Sequence, residues 1–403
     1  MTADQGTNAG CPVVRTDYRI DRPVHEHYAL LNRDREAAPI LRAEFTPVPF
    51  WMVTRYADVL EALQEPDTFG NEVVNAMDPR RGFDLLPQLL DPPEHTKLRK
   101  QLNRFFSPAA VRRLEPLVVS HCAAMLDELA PRGGCDMVSD FAIRFPTDMF
   151  LATLGLPVED GKQFVTWVEA VFAGFFGSNL QEAHRAWGKM TDYFDAALDD
   201  RLRAPRDRES DFLTHLVLMT IDGEPLRRKD MLSVCLTLMA AGLDTTRSAL
   251  SYIFHHLATH PADRQLIVDD PARVPRAVEE LLRLYPLVFQ DGRKVRRDVD
   301  FHGCPMDAGD VVWLGLASAN RDPRKFDDPD AFHLDRPNAA HHLSFGAGVH
   351  RCLGMHLARH ELAIALTEWH RRIPHYEIAT TDPIMERGGQ LTLRSLPLRW
   401  DVG

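Results

Sequence analysis

The sequence predicts a mainly α fold with a long central helix and a small β-rich region built from distant segments. Three observations carry that expectation. From about residue 109 to residue 260 the apolar spacing is helical almost without interruption, punctuated at "PRGG" (131–134), "LPVED" (156–160) and "DGEPL" (222–226). Inside that stretch, "LRRKDMLSVCLTLMAAGLDTTRSALSYIFHHLATH" (226–260) holds no proline and one glycine. At about 1.5 Å per residue it would run roughly 50 Å, and its apolar residues lie nearly all round, so it should cross the core. Strand-like segments lie outside it, at "PFWMVTR" (49–55), "DVDFHGCPMDAGDVVWLG" (298–315) and "GQLTLRSLPLRW" (389–400).

No internal repeat or low-complexity linker divides the chain. One domain over 1–403 is expected, with its β-rich part from about 35–75, 293–316 and 374–400. A hydrophobic content of 45% with 26% charge is that of an ordinary globular protein. The net charge of −11 argues against non-specific binding to nucleic acid or to an anionic membrane surface. Apolar runs stop well short of the roughly 20 residues a membrane span needs. "MTADQGTNAGCP" lacks the basic and apolar regions of a signal peptide, so a cytoplasmic location is expected. The six cysteines (11, 122, 135, 235, 304, 352) show no paired spacing and read as free thiols.

Taken along the chain, a helix from Pro93 to Phe106 would place His95, Arg99, Leu102 and Phe106 on one face, with Lys97, Lys100 and Arg104 opposite. On the central helix, Thr237, Ala241 and Thr245 recur at i, i+4 and i+8 as a face of small side chains. That face suits either a neighbouring helix or something bulky. Asp244 and Thr245 are poor helix formers at mid-helix, and buried polar groups need a partner or a task. Glu280 and Arg283, or Glu279 and Arg283, are spaced as helix-surface pairs worth about 0.2–0.5 kcal/mol.

In "LSFGAGVHRCLGMHLARHEL" (343–362), Gly346, Gly348 and Gly354 allow the backbone to approach a large flat object or to take positive φ. Helical periodicity begins at Cys352, where a helix N-terminus would favour a thiolate. Three readings stand side by side: an anionic ligand, a buried structural cysteine, and a zinc face of Cys352, His356 and His360. The zinc face lacks an accompanying CxxC or HExxH.

"FGAGVHRCLG" (345–354) resembles, residue for residue, the heme-binding loop of the cytochromes P-450. "DPPEHTKLR" (91–99) is similar to that family's propionate-binding helix, "AGLDTT" (241–246) to its oxygen-activating helix, and "EELLR" (279–283) contains its Glu-x-x-Arg pair. The four motifs keep the family's order, and the C-terminal half particularly resembles soluble bacterial members such as the camphor monooxygenase.

The resemblance implies a cytochrome P-450 fold binding heme b, with Cys352 as the axial thiolate of the iron and Phe345 shielding the sulfur. His350, Gly348, Gly354, Ala241 and Gly242 would border the heme, and His95, Arg99 and Arg293 would meet its propionates. If residues 350–352 are extended, His350 points with Cys352 and Arg351 points away. Glu280, Arg283 and Arg336 would form a structural network.

Asp244 and Thr245 would be catalytic, relaying protons to dioxygen. That pair favours a monooxygenase fed by a reductase over a peroxide-using relative. No flavin or ferredoxin domain fits beside the heme domain, so a separate ferredoxin and its reductase are implied. They would dock near Lys97, Lys100, Arg104 and Arg351, with Arg359 beside them. Candidate substrate contacts are Phe83, Leu85 and Leu86; Phe172, Phe175 and Phe176; Thr237 and Ala240; Val288 and Phe289; Leu391 and Thr392. Their apolar character suits hydroxylation or epoxidation of a hydrophobic, terpenoid-like molecule by a monomeric enzyme. A non-catalytic heme sensor of the same fold is the competing implication.

Overall fold

The proline-free stretch of the central segment forms one helix, Arg228–Thr259, unbroken over 32 residues. The computed structural model of the chain describes residues 7–8, 11–77, 79, 84–176, 180–389 and 391–402. Along most of its length the central helix is buried, with Cys235, Leu250, Ser251 and Phe254 fully so. Arg144–Leu154 packs on it, and Gly161–Phe176 pairs with Leu180–Arg203 and also meets Arg144–Leu154. Pro108–Leu129 starts with Pro108 at its first position and Ser107 accepting the Ala110 N–H, the usual chemistry of a helix start. It packs against the last long helix, Met355–Arg372. Among the described residues, no helix is long and apolar enough to cross a membrane.

The principal sheet has seven strands: β1 (Thr7–Asn8), β2 (Cys11–Val14), β3 (Ile40–Ala43), β4 (Phe50–Val53), β5 (Phe69–Gly70), β6 (Asp291–Val295) and β7 (Val311–Leu314). Their spatial order is β1-β2-β3-β4-β7-β6-β5, with β2/β3 and β4/β7 parallel and the other pairs antiparallel. The residue 374–400 region does not join this sheet. Pro397–Arg399 lies between Glu377–Ile378 and Gly134–Asp136, while Met385–Arg387 bridges Thr392–Leu393 and Arg22–Pro23. Hydrophobic periodicity finds such short strands but not their partners, because the pairing is set by residues hundreds of positions away.

Two cysteines correct the expectation of free thiols. Cys11 on β2 is disulfide-bonded to Cys304 in the Val299–Met306 hairpin, across 293 residues. Local spacing cannot show a pair at that separation. Cys122, Cys135, Cys235 and Cys352 are free, and burial pushes the Cys122 and Cys135 thiols up to about 12, which leaves them unreactive.

The C-terminal end of the central helix carries a histidine cluster. The His25 and His255 rings stand 5.7 Å apart and those of His256 and His260 4.2 Å. Burial lowers His25 to about 4 and His255 to about 3, with neighbouring cations, Arg321 on His25 among them, acting the same way. The folded state therefore holds these rings neutral, while the unfolded chain takes up protons near pH 6.5. Their contribution to stability is intact above pH 6.5 and is lost as pH falls from there toward 4. The thermal midpoint should drop over that window, and His255→Gln should flatten the drop; an unchanged pH slope in the variant would contradict it.

Candidate functional site

A cavity of about 310 Å³ lies between the central helix and the loop that precedes Met355–Arg372. Thr237, Leu238, Ala241, Gly242, Thr245 and Ala249 form the central-helix wall. Phe345, Gly346, Cys352 and Gly354 belong to the facing loop, and Asn71, Gln88, His95, Arg99 and His350 sit around the rim.

The loop is fixed at its start by a buried relay. Asn320 Oδ1 accepts the Leu343 N–H at 2.6 Å, its Nδ2 donates to Ser344 Oγ at 2.7 Å, and Ser344 Oγ donates to Leu282 O at 2.7 Å. The Cys352 N–H then closes the loop on Phe345 O at 2.8 Å. Gly348 has φ +67°, and a Cβ there would stand 2.4 Å from Leu63 O, so a side chain is excluded twice over. Of residues 350–352, considered above as extended, His350 instead ends a 3-10 turn over Gly348–His350, with Gly348 O accepting the Arg351 N–H. His350 nonetheless borders the cavity, and Arg351 is exposed.

The following helix begins at Met355, three residues later than its periodicity suggests. Cys352 keeps accessible surface because it borders the cavity, while protein encloses its other sides. Desolvation raises its thiol pKa and outweighs the Gly354 N–H at the sulfur and the charges of Arg99, Arg359 and Arg351. This corrects the view that helix position alone would hold a thiolate.

At the rim, the His95 and His350 rings lie 4.2 Å apart. His350 Nε2 meets Asp91 Oδ1 at 2.9 Å and Nδ1 meets Asn71 Nδ2 at 3.3 Å. Asp91 also accepts from Arg296 at 2.6 Å and from the Asn71 N–H at 2.8 Å, and these donors hold its carboxyl below the usual range despite burial. The Asp91 role was missed from sequence, although the residue opens the 91–99 motif. His95 is 2% exposed, both its ring nitrogens lack a partner among the described residues, and burial lowers it to about 4. Arg99 donates from Nε to Asn103 at 2.9 Å and from Nη2 to Arg351 O. Buried Arg293 does not border the cavity; it pairs with Asp291 at 2.9 Å, and its Nη2 has no partner among the described residues.

On the central helix, Thr245 borders the cavity and its hydroxyl donates to Ala241 O at 2.8 Å. Asp244 does not border it: the carboxylate is 4% exposed and 2.8 Å from Arg247, which Glu169 approaches at 3.6 Å. Burial raises its pKa, and the Arg247 and Arg387 charges oppose this. Gly242 borders the cavity as expected, and a Cβ there would also stand 3.1 Å from the Phe150 ring.

The expected substrate contacts divide. Thr237 and Val288 border the cavity; Leu85, Leu86 and Ala240 do not, and Pro87 and Gln88 take their place. Phe289 is corrected to a core residue, 2% exposed with its ring 4.7 Å from that of Trp313. Leu391 is fully buried, and Thr392 accepts from Ser248 at 2.9 Å and Arg247 at 3.1 Å, so neither reaches the cavity. Phe83, and the side chains of Phe172, Phe175 and Phe176, lie outside the described residues. Glu361 was also missed: it borders the cavity, and burial pushes it up to about 8.

The expected basic stripe is partly neutralised, with Lys97 on Asp222 and Arg104 on Glu209, whereas Lys100 and Arg351 are exposed. Of the zinc alternative, His360 lies 3.7 Å from Glu115, and among the described residues no three His, Cys, Asp or Glu gather as a metal site. Glu280, fully buried, takes Arg283 at 2.8 Å through both its oxygens and Arg336 at 2.9 Å.

The family model of cytochrome P450 matches residues 16–266 and 274–400. The chain belongs to the cytochrome P450 family. This P450 is 32% identical to vitamin D(3) 25-hydroxylase of Pseudonocardia autotrophica over 349 residues, covering 85% of this chain and 84% of that protein. It is 31% identical to the cyclomarin C epoxidase CymV of Salinispora arenicola over 353 residues, covering 85% and 88%. The crystal structure of CYP101J2 superposes with a TM-score of 0.88 at 26% identity over the whole of both chains.

The protein is thus a P450 monooxygenase, and its cofactor is heme b. The P450 site fits that group. His95, which lines the cavity, holds two buried ring nitrogens without a partner among the described residues, as anionic propionates would require. Among the described residues, a Cβ at Gly354 would meet no protein atom within 4 Å, so bare backbone faces open space beside Cys352.

Proposed function

We propose that Cys352 is the thiolate ligand of the heme iron, and that this P450 hydroxylates or epoxidises a compact hydrophobic molecule using electrons from a separate ferredoxin and reductase. The observation that carries the reading is the placement of Cys352 across one cavity from Ala241 and Thr245, with His95, Arg99 and His350 at its rim. Bound there, the heme supplies activation of dioxygen and insertion of one oxygen atom into substrate.

The chain's own groups have separable tasks. His95, Arg99 and Arg293 would bind the propionates, and Asp91 would orient His350 beside them. The Gly354 N–H would steady the sulfur. Thr245, its own proton engaged by Ala241 O, offers lone pairs toward the cavity and would hold a proton donor in place. Asp244 would pass protons inward by turning out of its pair with Arg247. Leu238, Leu287, Val288 and Phe150 give the substrate an apolar enclosure. The hydroxylase and epoxidase relatives support both oxidation outcomes. Lys100 and Arg351 are the exposed cations left to receive an acidic electron donor.

The deciding measurement is the carbon monoxide difference spectrum of the reduced, heme-loaded protein. A strongly red-shifted Soret band supports the thiolate; its absence overturns it. Substrate-induced spin-state shifts with monoterpenoids against macrolides then test the substrate class.

Thr245→Ala should keep oxygen consumption while lowering the fraction of reducing equivalents recovered as product by roughly tenfold. That is less than the 10²–10⁴ a positioned acid supplies, because water can occupy the vacated space. Unchanged coupling would remove Thr245 from the relay.

A further inference from the structure

Arg359, Glu279 and His342 gather around Phe345 as a group of charged or polar side chains. Arg359 stacks its guanidinium on the Phe345 ring at 4.5 Å from the centroid. Glu279 grips the same guanidinium through both oxygens, at 3.0 Å for Nη2 and also at Nε. His342 Nε2 lies 3.4 Å from Glu279, its ring is 5.5 Å from that of Phe345, and its Nδ1 accepts the Ser344 N–H at 3.1 Å. Burial opposes a charge on Glu279, yet His342 and Arg359 hold it down to about 2. The carboxylate therefore stays ionised throughout the working range of pH. Sequence alone suggested Glu279 as a helix-surface partner of Arg283 and Arg359 as a docking residue; the structure assigns them to each other.

We propose that Arg359, locked in place by Glu279, is a positioning residue that sets how strongly the Cys352 sulfur donates electron density. This rests on Cys352 being the thiolate ligand. Two effects combine. The guanidinium holds Phe345 in one orientation by a cation–π contact, and that ring sits on the loop whose backbone carries the cysteine N–H. Arg359 is also one of the three cations whose charge reaches the sulfur. A cation beside an anionic sulfur stabilises charge on the sulfur and weakens its donation to the iron, which favours the reduced state. Glu279 offsets part of that charge, so the two residues act with opposite signs.

The test is a reductive titration of heme-loaded R359M, E279Q and R359K, with the carbon monoxide spectrum recorded for each. R359M should lower the ferrous-to-ferric ratio at a fixed poise by about tenfold, which for one electron is about 59 mV. E279Q should shift it upward, because the guanidinium loses its counter-charge. R359K, keeping the charge without the flat stacked fork, should fall between R359M and the parent. A role in packing alone would lower heme retention without opposite signs. Should R359M fail to hold heme, the comparison of R359K with E279Q carries the same contrast. Shifts of the same sign, or no shift in variants that retain a thiolate spectrum, would overturn the inference while leaving the ligand assignment intact. A parent protein without a thiolate spectrum would remove both.

Discussion

Cys352→Ser is expected to abolish the red-shifted carbon monoxide band and to lower oxygenation turnover by on the order of 10³ or more, the scale seen when chemistry runs through one group. A serine hydroxyl keeps the size of the side chain but not its ready ionisation. The thiol is already disfavoured as an anion by desolvation, with only the Gly354 N–H and the charges of three arginines in its favour. An alkoxide at the same place would be far costlier. The loop itself should survive, because the Asn320–Ser344–Leu282 relay and the Cys352 N–H bond to Phe345 O do not use the sulfur. The variant should therefore fold with a thermal midpoint close to that of the parent when both lack heme. Retention of the red-shifted band in C352S would mean that another residue ligates the iron.

Arg283→Met should destabilise the fold by about 3–5 kcal/mol, because it breaks a buried ion pair, leaves Glu280 paired with Arg336 and strips several carbonyls of their donor. Both Arg283 and Glu280 are fully buried, so water cannot substitute. Arg283 also donates to Asn320 O at 3.0 Å, Pro329 O at 2.7 Å and Ala331 O at 3.1 Å. Those carbonyls belong to the irregular stretch leading to the cysteine loop, and Asn320 is itself the residue that holds Leu343 and Ser344. Loss of the guanidinium should thus loosen heme binding as well as lower the unfolding midpoint. Denaturant titration with Soret absorbance as a second probe checks both. A loss of under about 1 kcal/mol, typical of an exposed pair, would show that the network is not what secures the loop.

Much of this could be read directly from the chain. The central helix was legible because nothing in 226–260 breaks its period, and the cysteine loop because its glycines and cysteine occupy fixed offsets. What escaped depends on contacts that no local window contains. Asp91 becomes an anchor for His350 only when segments 259 residues apart meet. Phe289 could not be told from a cavity residue, since an aromatic ring serves core and pocket equally; Trp313 and Tyr18, on other strands and loops, decided it. Asp244 and Thr245 illustrate a third limit. Neighbours on a helix point about 100° apart, and periodicity alone does not say which of the two meets the cavity. Which one did was set by Arg247 waiting one turn further along.

The Cys11–Cys304 bond divides the chain topologically as well as spatially. It closes residues 11–304 into a covalent ring and leaves everything after Cys304 as a tail. The central helix and the Glu94–Leu102 helix belong to the ring, whereas Cys352 and its loop belong to the tail. One break of the main chain within the ring keeps both fragments covalently joined, while one break between Cys304 and Cys352 detaches the cysteine loop from the wall it faces.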